Sequence, residues 1–96
     1  MLFAIIATDK PGHLPIRTQH RPAHLEFLKS LGDAVRAAGP FLDDTGEMMG
    51  GMVIVDAPDR NAVQRIVDAD PFTHVGLFEH VDIRAWKWTM KNPGVV

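Results

Sequence analysis

Short apolar runs along the chain predict four β-strands. The first run, Leu2–Ala7, is apolar throughout and ends at the turn residues Thr8–Gly12, a pattern typical of a strand that is buried on both faces. Gly51–Asp56 shows the same two-sided apolar pattern and predicts a second buried strand. A short strand is predicted at Phe41–Leu42, and a last strand, over about Phe78–Trp88, alternates between apolar and polar positions.

Two helices are predicted between these strands. The first begins near Pro22 and ends at Gly39–Pro40, because a proline is well tolerated in a first turn and Gly-Pro stops a helix. The second begins after Pro58–Asp59 and ends at Asp70–Pro71, and the polar stretch Lys10–Arg21 is predicted to be a long loop. The buried face of the first helix is predicted to carry His24, Leu28, Leu31, Val35 and Ala38.

The order strand, helix, strand, strand, helix, strand predicts an α+β fold of the ferredoxin-like βαββαβ type. This fold has a four-stranded antiparallel sheet with two helices on one face, and its first and third strands lie in the centre. Because the two central strands are apolar on both faces, we expect a second copy to cover the open face, which gives a homodimer and a dimeric α+β barrel. The alternative is that the N-terminal loop folds under the sheet. Residues 1–90 are predicted to form one domain, and Lys91–Val96 a loose tail.

Composition and charge exclude several classes of function. Twelve acidic and ten basic residues give a formal charge of −2, which disfavours nucleic-acid binding through phosphate contacts. The chain has no cysteine, so disulfides, thiolate zinc sites and cysteine nucleophiles are excluded. No apolar run is long enough to span a membrane, and no signal peptide is visible, so we expect a soluble cytoplasmic protein. No cofactor motif is present, and we expect no cofactor.

His24 is the strongest candidate for a chemical role, because it lies amid the apolar face of the first predicted helix. A position in the first helical turn, together with burial, favours a neutral imidazole, which is able to act as a general base or acid. Asp70 is the candidate orienting carboxylate, since it follows the second helix and Pro71 restricts its backbone. The alternatives are a hydrogen-bonded core histidine and an exposed Asp-Pro turn.

The remaining polar residues give weaker indications. Arg17 and Arg21 are candidates for binding an anionic substrate group, although arginines in a polar loop are usually solvated. His20 and His24 have a spacing used by helical metal sites, but a proline separates them and no third ligand follows, so we expect no metal. A polar and aromatic stripe on one side of the last strand is expected at the dimer interface or its rim, and consists of His80, Asp82, Arg84 and Trp86.

Several short motifs occur in an order that is typical of one known family. They are Met1-Leu2-Phe3-Ala4-Ile5-Ile6, Arg21-Pro22-Ala23-His24-Leu25, Gly39-Pro40-Phe41-Leu42, Gly50-Gly51, Asp70-Pro71-Phe72 and Gly76-Leu77-Phe78. With these motifs, nearly the whole chain resembles the YCII-related (YciI-like) family. The resemblance implies a ferredoxin-like fold, a dimeric α+β barrel and a His–Asp active site.

By motif, the His–Asp site of the family falls on His24 and Asp70 of this chain. We expect a small-molecule ligand to contact Arg17, Arg21, Gly39, Pro40, Gly51 and Phe72. The chain departs from the pattern at two of these positions, because many relatives have serine in place of Gly51 and tyrosine in place of Phe72. Each departure removes a hydroxyl group and with it any hydrogen bond that this group would give a ligand.

The resemblance implies a small enzyme of unassigned reaction. One relative removes chloride from a chlorinated hydroxyquinol, and the wider superfamily includes muconolactone isomerase-like enzymes. We therefore expect isomerase, lyase or dehydrochlorinase-like chemistry on a small cyclic or aromatic-derived molecule. The alternative is a non-catalytic, dimeric small-molecule-binding or accessory module, in which the His–Asp pair is structural.

Overall fold

A four-stranded antiparallel sheet with helices packed on one face is the architecture of the chain, in a computed structural model that describes residues 1–93. The strand order is β2-β3-β1-β4, so the first and third strands are central, as predicted. Part of the predicted tail, residues 94–96, lies outside the described residues. The elements are β1 (Leu2–Asp9), α1 (Leu14–Ser30), a 3-10 turn (Gly32–Ala34), β2 (Val35–Leu42), β3 (Met48–Asp56), α2 (Arg60–Ala69), α3 (Pro71–His74) and β4 (Phe78–Trp86).

The register of the three neighbouring strands places apolar residues side by side on the helix-facing side of the sheet. Ile5 in β1 lies opposite Val53 in β3 and Ile83 in β4. The alternation predicted for the last strand is confirmed, because Arg84 lies opposite Ala4 on the other side of the sheet. The core between the sheet and α2 consists of Phe3, Ile5, Val55, Ala57, Val63, Val67 and Ile83.

The first helix begins eight residues earlier than the sequence pattern predicts, at Leu14 rather than near Pro22. Pro15 occupies the first turn, where the missing N–H has no intrahelical partner, and Pro22 lies inside the helix. The polar stretch Lys10–Arg21 is therefore mostly helix, and the prediction of a long loop is wrong. The alternative in which this stretch folds under the open sheet face is also wrong, since Arg17 in α1 lines a cavity with Ile5 on the helix-facing side.

The same helix also ends earlier than predicted. It closes at Ser30, and Gly32 follows in the left-handed region with φ of 60°. A glycine there has no Cβ to clash, so it ends the helix easily. Val35 and Ala38, predicted on the helix, therefore lie in β2, which extends well beyond the predicted Phe41–Leu42.

The prediction for the second helix is confirmed at both ends. Asp59 is its N-cap, and its side-chain Oδ1 accepts a hydrogen bond of 2.8 Å from the Ala62 amide.

The predicted turn between β2 and β3 is also present. There the hydroxyl of Thr45 donates to Asp43, and this bond, with backbone N–H donors of Glu47 and Thr45, holds the pKa of the Asp43 carboxyl below its usual range.

Gly50 marks a close approach of the two central strands. A Cβ built on it would clash with the Ala7 carbonyl oxygen, and that atom belongs to the backbone of β1. We expect Gly50→Ala to lower the free energy of unfolding by about 3 kcal/mol, because neither strand is able to move away without disturbing the core. Gly39→Ala is the control, since no atom of the described residues lies within 4 Å of its Cβ position. Equal urea midpoints for the two variants would contradict the prediction.

The other face of the sheet carries apolar and aromatic side chains. Within residues 1–93, no helix covers this face. A groove on this face is lined by Ile6, Met52, Trp86 and Trp88, and Met52 and Trp86 are 36% and 40% exposed. No helix in the described part of the chain is long and apolar enough to cross a membrane.

Candidate active site

A cavity of about 140 Å³ lies between α1 and the helix-facing side of the sheet. It exists because α2 packs directly on β1 and β4, whereas α1 packs mainly against α3 and stands away from the strands. Most of the wall is apolar, and its aliphatic and aromatic residues include Ile5, Leu28, Val53, Ile66, Val67 and Phe78. The cavity is therefore a small apolar pocket whose few polar groups come largely from α1 and from the start of α3.

His24 and Asp70 meet at this cavity. The His24 Nδ1 lies 2.9 Å from Asp70 Oδ1 and 3.0 Å from Oδ2, and the two side chains are only 13% and 12% exposed. An ionised carboxylate only accepts hydrogen bonds, so Nδ1 carries the proton and Nε2 has the free lone pair. Within residues 1–93 no fully buried side-chain nitrogen lacks a hydrogen-bond partner, so Nε2, which has no partner there, is not fully buried, and the His24 side chain lines the cavity. This is the geometry of a general base held in one tautomer.

The backbone around Asp70 fixes its carboxylate. Asp70 has φ of −65° and ψ of 129°, the extended conformation that Pro71 imposes on the residue before it, and it separates α2 from α3. Its Oδ1 accepts a hydrogen bond of 2.9 Å from the Phe72 amide, so the carboxylate is also the N-cap of α3. The sequence did not predict α3, and this short helix is what directs the carboxylate toward His24.

Phe72 connects the two polar pairs of the site. Its ring is fully buried and stacks on the His24 imidazole, with centroids 4.1 Å apart and an interplanar angle of 16°. The Arg17 guanidinium carbon lies 4.7 Å from the centroid of the same ring, a cation–π distance. The aromatic ring therefore fixes the orientation of the imidazole and contacts the arginine.

Arg17 is buried and paired, so the expectation that an arginine in this stretch is usually solvated is wrong for this residue. Its Nε donates to Asp9 Oδ2 at 2.6 Å and its Nη2 to Asp9 Oδ1 at 3.0 Å, and the two side chains are 4% and 5% exposed. The sequence pattern does not indicate this role of Asp9, because it predicts a turn from Thr8 onward, whereas Asp9 ends β1. The signal that could have found it is the period of two along β1, which points Asp9 to the same face as Ile5.

The other predicted ligand-contacting residues also line the cavity. Arg21 is half-buried on α1, and Gly39, Pro40 and Gly51 lie on β2 and β3. A Cβ on Gly51 would lie 3.4 Å from the Gly39 carbonyl oxygen and 3.8 Å from Arg17 Nη2, so the position has room for a small side chain. All eight predicted site residues thus surround one cavity, and their roles there stay predictions.

The structure bears on two expectations about the histidines, the position of His24 in its helix and the spacing of His20 and His24 for a metal. His24 lies in the middle of α1, not in its first turn, so the positive end of the helix dipole does not act on its ring. His20 does not line the cavity. In the described part of the chain, no three His, Cys, Asp or Glu side chains are arranged to hold a metal ion.

The chain is a ferredoxin-like α+β domain with a His–carboxylate pair at a small apolar cavity, and its structural neighbours are of the dimeric α+β barrel class. Within that class, the sequence model of the YCII-related domain matches residues 1–87, and the chain belongs to this family. It is 38% identical to the protein YciI of Escherichia coli O6:H1 over 95 residues, which cover 91% of this chain and 97% of that protein.

Solved structures agree with this assignment. The chain is similar to 5-chloro-2-hydroxyhydroquinone dehydrochlorinase (TftG) from Burkholderia phenoliruptrix AC1100, in complex with 2,5-dihydroxybenzoquinone. The TM-score is 0.86 and the identity is 35%, over 96% of this chain and 99% of that one. Protein Atu4242 from Agrobacterium tumefaciens has a TM-score of 0.58 at 16% identity, over 97% and 98% of the two chains, and shares the fold.

Proposed function

We propose that this protein is a small enzyme that uses His24, oriented by Asp70, for general acid/base chemistry on a small cyclic or aromatic-derived molecule. The observation that carries the proposal is the hydrogen bond between His24 Nδ1 and the Asp70 carboxylate at an apolar cavity that both residues line. The reaction class is isomerisation, lyase chemistry or a dehydrochlorinase-like elimination.

The arrangement suits proton transfer. With Nδ1 donating to Asp70, Nε2 takes a proton from a substrate hydroxyl or carbon, and the carboxylate stabilises the imidazolium that forms. In an elimination, the electron pair left by the proton forms a new C=O or C=C bond in the substrate while chloride leaves with the electron pair of the carbon–chlorine bond, so the products are the dehydrochlorinated ring, a proton on His24 and a chloride ion. In an isomerisation, the imidazolium returns the proton to another atom of the same substrate. Neither sequence consumes an oxidant or a reductant.

Similarity to TftG supports the elimination within this class. That enzyme is a dehydrochlorinase of a chlorinated hydroxyhydroquinone, and it is similar to this chain over almost the full length of both. The apolar wall and the small volume of the cavity here agree with a ring-shaped substrate.

Turnover of a defined panel by the wild-type protein and by His24→Ala tests the proposal. The panel contains chlorinated hydroxyhydroquinones, assayed for chloride release, and unsaturated lactones, assayed for isomerisation. Turnover that the variant loses supports the proposal. Equal rates for the two proteins on a converted substrate would contradict it.

A structural role for the His–Asp pair is the second candidate, in a non-catalytic dimeric binding or accessory module. It is favoured by one observation, that Asp70 also caps α3 and His24 also stacks on the buried Phe72 ring. If no member of the panel were converted while His24→Gln lowered the free energy of unfolding by about 1–3 kcal/mol, this candidate would be preferred.

We also propose that a second copy covers the open sheet face and gives a homodimer. Ile6, Met52 and Trp86 form an apolar surface there, and structural neighbours are of the dimeric α+β barrel type. Light scattering after size-exclusion chromatography should give twice the 10.6 kDa mass of one chain. A 10.6 kDa species at micromolar concentration would contradict the homodimer. The cytoplasmic location stays a prediction from the sequence.

A further inference from the structure

We propose that the cavity selects a single-ring anion and that Arg21, not Arg17, is the residue that compensates the charge of this ligand. The inference rests on the proposed function, because it names the substrate class of the same site. It is carried by three observations: the volume of the cavity, the different pairing of its two arginines, and the position of Arg21 relative to His24 on α1.

The volume of the cavity limits the ligand to one ring. It measures about 140 Å³. An engineered apolar cavity of roughly 150 Å³ in another protein is filled by a single benzene molecule. A six-membered ring with small substituents that extend toward the opening therefore fits, whereas two fused rings exceed the space.

Arg17 has little charge left to offer a ligand. Two of its three guanidinium nitrogens bind the two oxygens of Asp9, and the nearly complete burial of both side chains makes this a neutral pair. The remaining nitrogen, Nη1, has no partner among residues 1–93 and is not fully enclosed, so it is open to a hydrogen bond with a ligand oxygen. Arg17 therefore offers a directed donor, while Asp9 cancels its positive charge.

Arg21 differs from Arg17 in this respect. It lines the same cavity and is half-buried, yet within the described part of the chain its guanidinium makes no hydrogen bond or ion pair. The Asp70 carboxylate also lines the cavity, but it is already engaged by His24 Nδ1 and the Phe72 amide. An uncompensated cation at the wall of an apolar pocket favours an anionic ligand.

The position of Arg21 also fits the chemistry. Arg21 precedes His24 by three residues on α1, so the two side chains rise from the same face of the helix, about one turn apart. A ring whose phenolate or carboxylate oxygen contacts Arg21 is thus able to present a neighbouring atom to His24 Nε2. The same residue pair would hold the charge and remove the proton.

Binding measurements with matched probes test this inference separately from turnover. Benzoate and benzamide have nearly the same shape and differ in charge, 2,5-dihydroxybenzoquinone is a ring that ionises at neutral pH, and 2-naphthoate adds a second ring to benzoate. Each is titrated by NMR into the wild-type protein, Arg21→Gln, Arg21→Lys and Arg65→Gln. Arg65→Gln is the control because it removes the same charge from an exposed position of α2 that does not line the cavity.

We expect benzoate and dihydroxybenzoquinone to bind the wild-type protein more tightly than benzamide does, and naphthoate to bind weakly. Arg21→Gln should weaken the anions by about tenfold or more and leave benzamide unchanged, whereas Arg21→Lys and Arg65→Gln should keep the preference for anions. The inference is overturned if Arg21→Gln keeps the preference, if naphthoate binds as tightly as benzoate, or if neither anion binds. If the charge preference holds while no ring is converted, the proposed function fails and this inference stands.

Discussion

Replacing His24 with alanine should lower kcat for a converted substrate by about 10²–10⁴-fold and leave KM nearly unchanged. The variant loses the only imidazole of residues 1–93 that lines the cavity and with it the Nε2 lone pair, while the apolar wall and Arg21 still bind the ring. A positioned general base typically contributes an acceleration of this size. The measurement is steady-state kinetics on the substrate found with the wild-type protein.

Two controls separate a lost base from a damaged fold. His20→Ala removes the same side chain from the same helix at a position that does not line the cavity, and it should retain full activity. Added imidazole should restore part of the rate of His24→Ala, because the deletion leaves a space beside Asp70 that the free base is able to occupy. An unchanged kcat for His24→Ala, or an equal loss for His20→Ala, would contradict the role of His24.

The fold could be predicted because its central strands are strongly patterned. Leu2–Ala7 and Gly51–Asp56 are apolar on both faces, and that places them in the middle of the sheet whatever the helices do. The N-cap Asp59 and the helix-ending Asp70–Pro71 are local signals. They act on the neighbouring backbone and do not depend on tertiary packing, so the sequence alone predicts both helix ends correctly.

The first helix could not be placed in the same way, because its inward face is polar over its first half. Arg17, Arg21 and His24 point toward the cavity, where a core helix would carry apolar residues. The apolar periodicity therefore begins only near Leu28, so the pattern predicts a helix start at Pro22 instead of at Pro15. The part of the sequence that was hardest to assign is the part that builds the pocket.

The candidate site was also predicted only in part. The His24–Asp70 contact was suggested by motif and by adjacent helices, and the structure shows the two side chains hydrogen-bonded at 2.9 Å. The contact between Asp9 and Arg17 was not predicted, since it depends on how far β1 continues and on where α1 starts. Boundary errors of two residues at the end of β1 and of eight residues at the start of α1 were enough to hide a buried ion pair.

Replacing Asp9 with asparagine should lower the free energy of unfolding by about 3–5 kcal/mol. The carboxylate and the Arg17 guanidinium are 5% and 4% exposed, so the variant leaves a positive charge buried without its counter-charge. A loss of this size is a large fraction of the 5–15 kcal/mol that is typical of a whole domain. Urea unfolding at one fixed protein concentration measures it, because dimer formation would make stability depend on concentration.

The exposed pair of Glu26 with Lys29 on α1 supplies the matched control. Its N–O distance is 3.5 Å and both side chains are about three-quarters exposed, so Glu26→Gln should change the free energy of unfolding by less than about 1 kcal/mol. If the free energy of unfolding of Asp9→Asn were no lower than that of Glu26→Gln, the prediction that the buried pair stabilises the fold would be contradicted.

The double variant Asp9→Leu with Arg17→Met separates stability from function. It removes both charges at once and fills the space with apolar side chains of similar size, so its free energy of unfolding should return to within about 1 kcal/mol of wild type. It also removes the cation over Phe72 and the Nη1 donor at the cavity. We therefore expect a stable protein that binds anionic rings more weakly, and this result would mean that the ion pair is retained because it holds a donor at the cavity. If the double variant were as unstable as Asp9→Asn, the pair would instead be required for packing.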